Sequence, residues 1–389
     1  MKTMRIVTIL CWVIVAVVLL GLAGWFLTGT IIGVSSDRFD RGWPFGSNMN
    51  IGGFESLSGP FSADGVYTSG TENINSLNID WVAGSITIKP YDGDEIRITE
   101  FAQRTLSGDE KLHMSTSGGT LNIRYREQGT GLRSIRLPQK RLEVLVPRDF
   151  AENLTKLSVG TVSGHVSISD IGSGKVKVDS ASGDISLSNI SARELDSNSL
   201  SGSISLSNII ADGIGLDSTS GTVTVQSSRA GILGLESLSG LIRVSDSSAR
   251  SFRAETTSGN INVSGAFDSV NLESLSGRVS LENSFEGSIA DAKSTSGAVD
   301  LTGSFSKVKA YTLSGNISAS SSIVPGSIKA ETTSGGITVS VPDESAVTVR
   351  FSSTSGRLSS DIPIVMQDRD AQFDFSSLSG NARIHKYNG

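Results

Sequence analysis

The amino-acid sequence predicts an all-β protein, with a large parallel β-solenoid (β-helix-like) preceded by one N-terminal transmembrane helix. Three observations lead to this fold class. A Ser-Gly pair recurs about every 19 residues, apolar residues alternate on both sides of each pair, and an uncharged apolar run lies near the N-terminus. Repeats of this length stack into solenoids in which each unit packs only on its neighbours.

The Ser-Gly repeat is present about twelve times and decides the fold. Its glycines stand at positions 164, 183, 202, 221, 240, 259, 277, 297, 315, 335, 356 and 380. Apolar residues lie two and four positions after the glycine, as in Ile185 and Leu187, and seven and five positions before it, as in Val176 and Val178. Alternation with a period of two predicts two short strands per repeat, each with one buried face.

The glycine and the connections are expected to have different roles. The strands keep their register on the glycine when the repeat length changes, so the glycine is expected to need a positive φ or a close corner. All length variation falls in the other connection, for example at 342–345 and 363–370. Such variation is typical of surface loops.

Leucine and threonine alternate two residues before the glycine, which adds a period near 38 to the 19-residue repeat. One repeat per coil is favoured, and two repeats per coil is the alternative. With one repeat per coil the leucines form an exposed stripe, which would mark an interaction surface; with two they could be buried. The stripe consists of Leu200, Leu238, Leu275, Leu313 and Leu378.

The N-terminal apolar run predicts a membrane anchor through residues 6–27. Ile6 to Leu27 contains no charged residue and is long enough to cross a hydrocarbon core of ~30 Å. Lys2 and Arg5 precede it, so the N-terminus is expected in the cytoplasm and the remainder outside the cell membrane. A cleaved signal peptide is the alternative, disfavoured because the apolar run continues past the small residues at 21–24.

The remaining organisation follows from composition. We predict a cytoplasmic stub and transmembrane anchor at 1–34, a Gly/Asn/Ser-rich linker at 35–76, a β-rich N-terminal cap at 77–150 and the repetitive solenoid at 151–389. Within the cap, Asp92-Gly93 is a hairpin signal. The net charge of −6 disfavours a nucleic-acid partner.

The cap and the repeats together resemble a known family. The stretch from Leu77 to Pro90 (LNIDWVAGSITIKP), the following Asp92-Gly93-Asp94, and serial units such as Ser182 to Leu187 (SGDISL) carry the likeness. They resemble the bacterial putative-adhesin family, whose repeats are similar to those of auto-transporter adhesin heads, and which includes Lia-type envelope proteins. The resemblance covers residues 75–389 and implies a solenoid in the cell envelope; it supplies no active residues.

No catalytic, cofactor-binding or metal-binding residue is predicted, and no cofactor. His113, His165 and His385 are far apart in sequence, and no nucleophile elbow, metal-ligand cluster or phosphate loop is present. The twelve equivalent serines are structural.

Three further sets have structural and functional interpretations. An acidic column four residues before the glycine is expected on a solvated face beside Arg253, Lys177 and Lys329, with cation or basic-partner binding as the alternative; it consists of Asp179, Asp217, Glu236, Glu255, Glu273 and Glu331. A basic run is expected in a solvated loop, with anionic polymers or headgroups as the alternative ligands; it consists of Arg124, Arg126, Arg133, Arg136, Lys140 and Arg141. Phe267, Phe285 and Phe305 are expected to stack inside the solenoid.

These features predict a non-enzymatic cell-envelope surface protein, an adhesin or scaffold that binds an envelope polymer or another cell surface. One alternative is an accessory of envelope-stress sensing that binds its own wall, lipid or an antimicrobial peptide. Another is a polysaccharide-acting β-helix enzyme, which would need clustered carboxylates on one face.

Overall fold

The computed structural model describes residues 60–127, 137–343, 347–365 and 371–387. The predicted transmembrane segment, with its flanking stub, and residues 35–59 of the predicted linker lie outside these ranges. No helix within the described ranges is long and apolar enough to cross a membrane. Part of the expected linker, Ser62–Ser69, forms a strand.

The described chain is almost entirely β-structure. Its one described helix is α1 (Arg148–Glu152). The strands are β1 (Ser62–Ser69), β2 (Ser76–Trp81), β3 (Ser85–Tyr91), β4 (Ile96–Ala102), β5 (His113–Ser117), β6 (Thr120–Arg124), β7 (Lys140–Pro147), β8 (Leu154–Thr161), β9 (His165–Ser180), β10 (Ile185–Ser199), β11 (Ile204–Ser218), β12 (Val223–Gln226), β13 (Arg229–Ser237), β14 (Ile242–Thr256), β15 (Ile261–Ser274), β16 (Val279–Ser294), β17 (Val299–Thr312), β18 (Ile317–Ser321), β19 (Ser327–Thr332), β20 (Ile337–Val341), β21 (Thr348–Ser353), β22 (Leu358–Ser360), β23 (Gln372–Ser377) and β24 (Ala382–Lys386).

These strands form a parallel β-solenoid of about ten turns. In the β10–β11 pair, Ile185 lies opposite Ile204 and Leu195 opposite Ile214, a shift of one repeat. The favoured prediction of one repeat per coil is therefore confirmed. The predicted apolar columns form the core, with Ile185, Ile204 and Val223 all fully buried.

Each coil turns at two corners. The first follows the Ser-Gly pair. The second lies six residues after the glycine, where Asp170, Asn189 and Asn208 have φ values of 59°, 54° and 55°. Asn and Asp tolerate this left-handed conformation better than other residues with side chains. Their side chains also bond from coil to coil: Asn189 Nδ2 donates to Asp170 Oδ1 and Asn208 Nδ2 donates to Asn189 Oδ1, both at 2.8 Å.

The Ser-Gly corner depends on a close approach between coils. None of the described repeat glycines has a left-handed φ, so of the two expected reasons for the glycine the close corner is correct. A Cβ on Gly221 would lie 2.0 Å from the carbonyl oxygen of Gly202 in the coil below. A buried hydroxyl three residues earlier closes the turn: Ser218 Oγ accepts a hydrogen bond from the backbone N–H of Gly221 at 2.9 Å.

The N-terminal end of the solenoid does not follow chain order. Strand β2 lies between β6 and β8, and β3 lies between β7 and β9, so the first coil of the chain is the second coil in space. Antiparallel strands then cover the end, with β4 on β7, β1 on β4 and β5 on β6. The expected hairpin at Asp92-Gly93 is wrong: β7 and β9 occupy both edges of β3, and β4 therefore pairs with β7 instead.

The C-terminal end repeats this arrangement. Strand β23 lies between β19 and β21, and β24 lies between β20 and β22. The last coil of the chain is thus inserted below the preceding one, and β21 with β22 forms the outermost described coil.

Candidate functional site

A long groove lies on one side of the solenoid in the described chain. Its volume is about 1250 Å³, and it extends from the end of α1, near Glu152, to Phe285. The lining comes from consecutive coils, at positions six to ten after the repeat glycines and at 152–155 before the first of them. At about 4.8 Å per coil, such a groove is roughly 30 Å long.

The floor of the groove consists of small side chains. Ala192, Ala211, Ala230 and Ala249 line it, one per coil. They follow one another directly through the pairs Ala192–Ala211, Ala211–Ala230 and Ala230–Ala249. Because the other inward columns carry larger apolar residues, this alanine column leaves a depression in the surface.

Three arginines line the groove, Arg193, Arg229 and Arg250. All three side chains are exposed, and none forms a salt bridge or hydrogen bond with another residue of the described ranges. The guanidinium of Arg193 lies across Gly174 in the coil below, with Nη2 3.1 Å from the position that a Cβ would take there. Four carboxylates, Glu152, Asp170, Asp212 and Asp268, line the same groove, so it offers both donors and acceptors.

The groove has an apolar contribution at its side and at one end. Ile210 is 58% exposed and Phe285 is 40% exposed, and both line it. The expectation that Phe285 stacks with Phe267 and Phe305 inside the core is therefore wrong, although Phe267 and Phe305 are fully buried as expected.

The outward position of Phe285 has a local cause. The pairing of β16 with its neighbours is interrupted between Asn283 and Ser288 on one side, and Gly287 has a φ of 76°. The buried Asn283 takes the internal place, since its Oδ1 accepts from Phe267 N–H at 2.9 Å and its Nδ2 donates to the Phe267 carbonyl at 2.8 Å. The extra residue of this long repeat lies in the connection where length variation is predicted, but it forms an exposed bulge within β16 and not a loop.

The groove was missed in the sequence, although a signal for it exists. Alanine recurs at a spacing of 19 at positions 192, 211, 230 and 249, nine residues after the glycine. The residue sets singled out in the sequence lie elsewhere on the molecule, apart from Phe285.

The acidic column lies on the outer face of the strands that precede the glycine. Asp217, Glu236, Glu255 and Glu273 occupy four consecutive coils in direct register. The expected neutralising partners are present: Lys177 lies 2.9 Å from Asp179, Lys329 lies 2.8 Å from Glu331, and Arg253 contacts Glu255.

Glu255, in the middle of this column, has a strongly perturbed pKa. Burial raises its pKa to about 7; Arg253 opposes this rise, and the adjacent Glu236 and Glu273 add to it. Stacked like charges at this spacing destabilise one another in their ionised forms. No group of three or more His, Cys, Asp or Glu in the described residues is arranged to hold a metal ion.

The basic run is divided between different environments. Lys140 is fully buried, so the expectation of a solvated loop is wrong for this residue. Its Nζ lies 2.8 Å from Glu100 Oε1 and donates to the backbone oxygens of Glu110 and Tyr125. Burial lowers the pKa of Lys140 to about 8, against the opposing effect of Glu100.

The other members of the basic run do not converge. Arg124 lies 3.9 Å from Asp80, and the guanidinium of Arg141 lies 4.1 Å from the ring centre of Phe61. Arg133 and Arg136 lie outside the described residues. The three histidines lie on β5, β9 and β24 and are not brought together.

The leucine stripe lies on the surface at the Ser-Gly corner. Leu200, Leu238, Leu275 and Leu378 are 38–49% exposed, and Leu313 is half-buried. The alternative in which these leucines are buried within a double-repeat coil is excluded by the coil size.

Solved structures similar to this chain have low sequence identity to it. A "putative cell adhesion protein" from Clostridium sporogenes is 9% identical, with 84% of this chain and 100% of that chain covered and a TM-score of 0.19. A "putative adhesin" from Parabacteroides distasonis is 10% identical, with 84% and 97% covered and a TM-score of 0.29. A "putative lipid binding protein" from Parabacteroides distasonis is 13% identical, with 82% and 96% covered and a TM-score of 0.28.

No curated protein matches the chain. The family model of the Toastrack domain DUF4097 matches residues 74–269 and again residues 236–383, which together include the cap, the groove and nearly all of the repeats. The chain therefore belongs to the Toastrack DUF4097 family.

Proposed function

We propose that this protein is a non-enzymatic surface protein of the cell envelope that holds an extended polysaccharide in the groove over the alanine column. The observation that carries the proposal is the groove itself, which crosses about seven coils without interruption. Typical pockets for single small molecules have volumes of ~300–1000 Å³. A volume of about 1250 Å³ spread along the coil axis suits a linear chain better.

The chemistry of the lining suits a polymer rich in hydroxyl groups. Arginine side chains offer up to five N–H donors and carboxylates offer acceptors, so a hydroxyl group can bond to either. Arg193 and Arg250 alternate along one rim with Asp212, while Ile210 supplies apolar contact area. The flat alanine floor allows a sugar ring to approach the backbone closely.

The envelope location rests on the uncharged run at residues 6–27 and on the basic residues before it. The positive-inside rule then places the groove outside the cytoplasm, where wall polysaccharides and foreign surfaces are accessible. Within this proposal, a scaffold binds the organism's own envelope and an adhesin binds another surface.

The test is retention of the purified full chain on two kinds of target: the producing organism's own envelope fractions, and foreign cells or matrix proteins. The groove variant Arg193→Ala/Arg229→Ala/Arg250→Ala is compared with Arg357→Ala/Arg383→Ala, which removes exposed arginines from the C-terminal coils. We expect saturable retention of the wild type and of the control, and at least about tenfold weaker retention of the groove variant.

The target that retains the protein distinguishes the two roles. Retention on the organism's own envelope alone supports a scaffold, and retention on foreign surfaces alone supports an adhesin. Equal retention of the two variants contradicts the assignment of the groove, and absence of retention on every target contradicts the binding function.

A further inference from the structure

The Ser-Gly corner carries an exposed ridge of alternating leucine and threonine, on a different part of the coil from the groove. This leucine–threonine ridge consists, in its order in space, of Leu200, Thr219, Leu238, Thr257, Leu275, Thr295, Leu313, Thr333, Leu378 and Thr354. The backbone hydrogen bonds between adjacent corners fix that order, for example Ser239 N–H to the Thr219 carbonyl and Ser258 N–H to the Leu238 carbonyl, at 3.0 and 3.1 Å.

The alternation follows the surface and not the chain. Along the sequence it fails at the end, where Thr333 is followed by Thr354 and then by Leu378. In space it continues, because the inserted last coil places Leu378 between the two threonines. Ser379 N–H donates to the Thr333 carbonyl at 3.1 Å, and Thr354 N–H donates to the Leu378 carbonyl at 3.2 Å.

This arrangement separates two explanations of the pattern. Duplication of a double repeat would produce alternation along the chain, whatever the order of the coils in space. A surface that needs one leucine in every second coil produces alternation in space, which is the arrangement present. The spatial alternation therefore indicates contact with a partner surface outside the solenoid that repeats every two coils, about 9.6 Å.

A second copy of the same ridge has that period. We infer that the leucine–threonine ridge is a self-association surface, on which two copies of this chain pair side by side, parallel and in register. Leucine then packs against leucine and threonine against threonine along the whole line. Four of the five leucines are roughly two-fifths exposed, and with Leu313 they offer about 300 Å² of side chain per copy, the size of a functional apolar patch on a monomer.

The buried area predicts a weak pair. Counted over both copies, an interface of this size falls below about 1200 Å², in the range of transient complexes. Such a weak contact forms when copies are held close together, because a high local concentration of the chain compensates for a low intrinsic affinity.

Charge on the two flanks of the ridge favours the parallel arrangement. One flank is the acidic column, including Glu236 and Glu273; the other carries Arg243 and Arg278 in the same two coils. Arg278 also lies 2.6 Å from Asp300 on its own flank. A twofold axis along the ridge brings the acidic flank of each copy to the basic flank of its partner. An antiparallel pair centred on Leu275 instead brings the two copies of Glu273 together, and it offsets this only where Lys293, the next member of the column, meets Glu255.

The same acidic flank disfavours an anionic lipid surface as the occupant. Asp217, Glu236 and Glu273 would be brought toward negatively charged headgroups if the leucines inserted there. Electrostatic attraction to such membranes requires basic residues near the surface.

The test uses single cysteines at two threonines of the ridge in the full chain, with Cys11→Ser as background. Thr219→Cys and Thr333→Cys leave every leucine in place and lie symmetrically about Leu275, separated by six coils, or about 29 Å. In a parallel, in-register pair each position faces itself, so each variant alone should form covalent dimers with a short bismaleimide. In an antiparallel pair only a mixture of the two variants should cross-link.

Cross-linking of each single variant supports the proposal. Cross-linking of the mixture alone overturns the parallel geometry, and absence of dimers in all samples overturns self-association by the ridge. Ile232→Cys, which is 60% exposed but lies off the ridge, is the control; dimers at equal yield there would mean non-specific collision and would also overturn it.

A second measurement does not depend on cysteines. Leu238→Thr/Leu275→Thr extends the threonine pattern and is compared with Ile232→Thr/Ile289→Thr, two exposed apolar residues away from the ridge. By sedimentation velocity of the full chain, the ridge variant should dimerise about tenfold more weakly than the wild type, while the control should match the wild type. Equal effects of both pairs overturn the assignment to the ridge. Unchanged thermal unfolding establishes that the variants are folded.

Discussion

At the scale of single residues, the repeat glycine is fixed by the absence of a side chain and not by an unusual backbone angle. Each of these glycines lies directly above the carbonyl oxygen of the glycine one coil below, as Gly221 does above Gly202. The hydroxyl of Ser218 then closes the turn by accepting the Gly221 N–H. Close packing between coils and a closed corner are thus produced by two residues three positions apart.

Gly221→Ala should destabilise the solenoid substantially. Its Cβ would lie 2.0 Å from a backbone oxygen, which cannot rotate away as a side chain could. Overpacking of this kind costs about 1–3 kcal/mol. Gly213→Ala is the matched control, because no atom lies within 4 Å of its Cβ position. Chemical denaturation should show a lower midpoint for Gly221→Ala only; an equal effect of both variants would contradict the close-corner explanation.

At the scale of the strand, equivalent residues of successive coils lie directly above one another. A charged residue at such a position therefore has charged neighbours on both sides, and their electrostatic effects add. Asp217, Glu236, Glu255 and Glu273 are stacked in register, and burial raises the pKa of Glu255 to about 7. Arg253 on the same strand offsets only part of this effect. The column is therefore a place where protonation stabilises the folded chain.

The free energy of unfolding should accordingly depend on pH through Glu255. Because the folded pKa of about 7 is above the ordinary value of 4.5, the folded state binds the proton more tightly than the unfolded state does. This contribution is fully present below pH 4.5 and is lost as the pH rises through about 7. Thermal unfolding from pH 5 to pH 8 should show a fall that Glu255→Gln reduces.

Glu331→Gln is the control for this experiment. Glu331 belongs to the same column, but its neighbours in the adjacent coils are Tyr311 and Ser376 and not carboxylates. Its replacement should leave the difference between pH 5 and pH 8 unchanged. Equal slopes for wild type and Glu255→Gln would show that stacking of the carboxylates does not govern this dependence.

At the scale of the whole molecule, the sequence predicts the features that keep a fixed distance from the repeat glycine. It does not predict which strands pair when the partners are not one repeat apart in the chain. The two strands, the outward-facing acidic column and the single-repeat coil follow from spacing alone, because each residue pairs with its equivalent 18–20 positions away. The insertion of β2 with β3, and of β23 with β24, leaves no such spacing signal. Phe285 departs from its column because one extra residue bulges outward, and the groove depends on small residues that hydrophobic periodicity overlooks.

The inserted last coil leads to a prediction about truncation. In the described residues β21 pairs with β23, and β22 pairs with β24. A chain that ends at residue 365 therefore loses the neighbours of its own last coil, although that coil is retained in sequence. Residues 348–360 should then lose protection from hydrogen exchange, because strands without a neighbour are not stable alone.

A chain that ends at residue 343 is the control. It should keep β17 and β18 as protected as in the full chain, since every pairing below β19 and β20 is intact. If 348–360 stayed protected in the longer truncation, the end coils would be stacked in chain order, and the alternation of the leucine–threonine ridge in space would be lost with it.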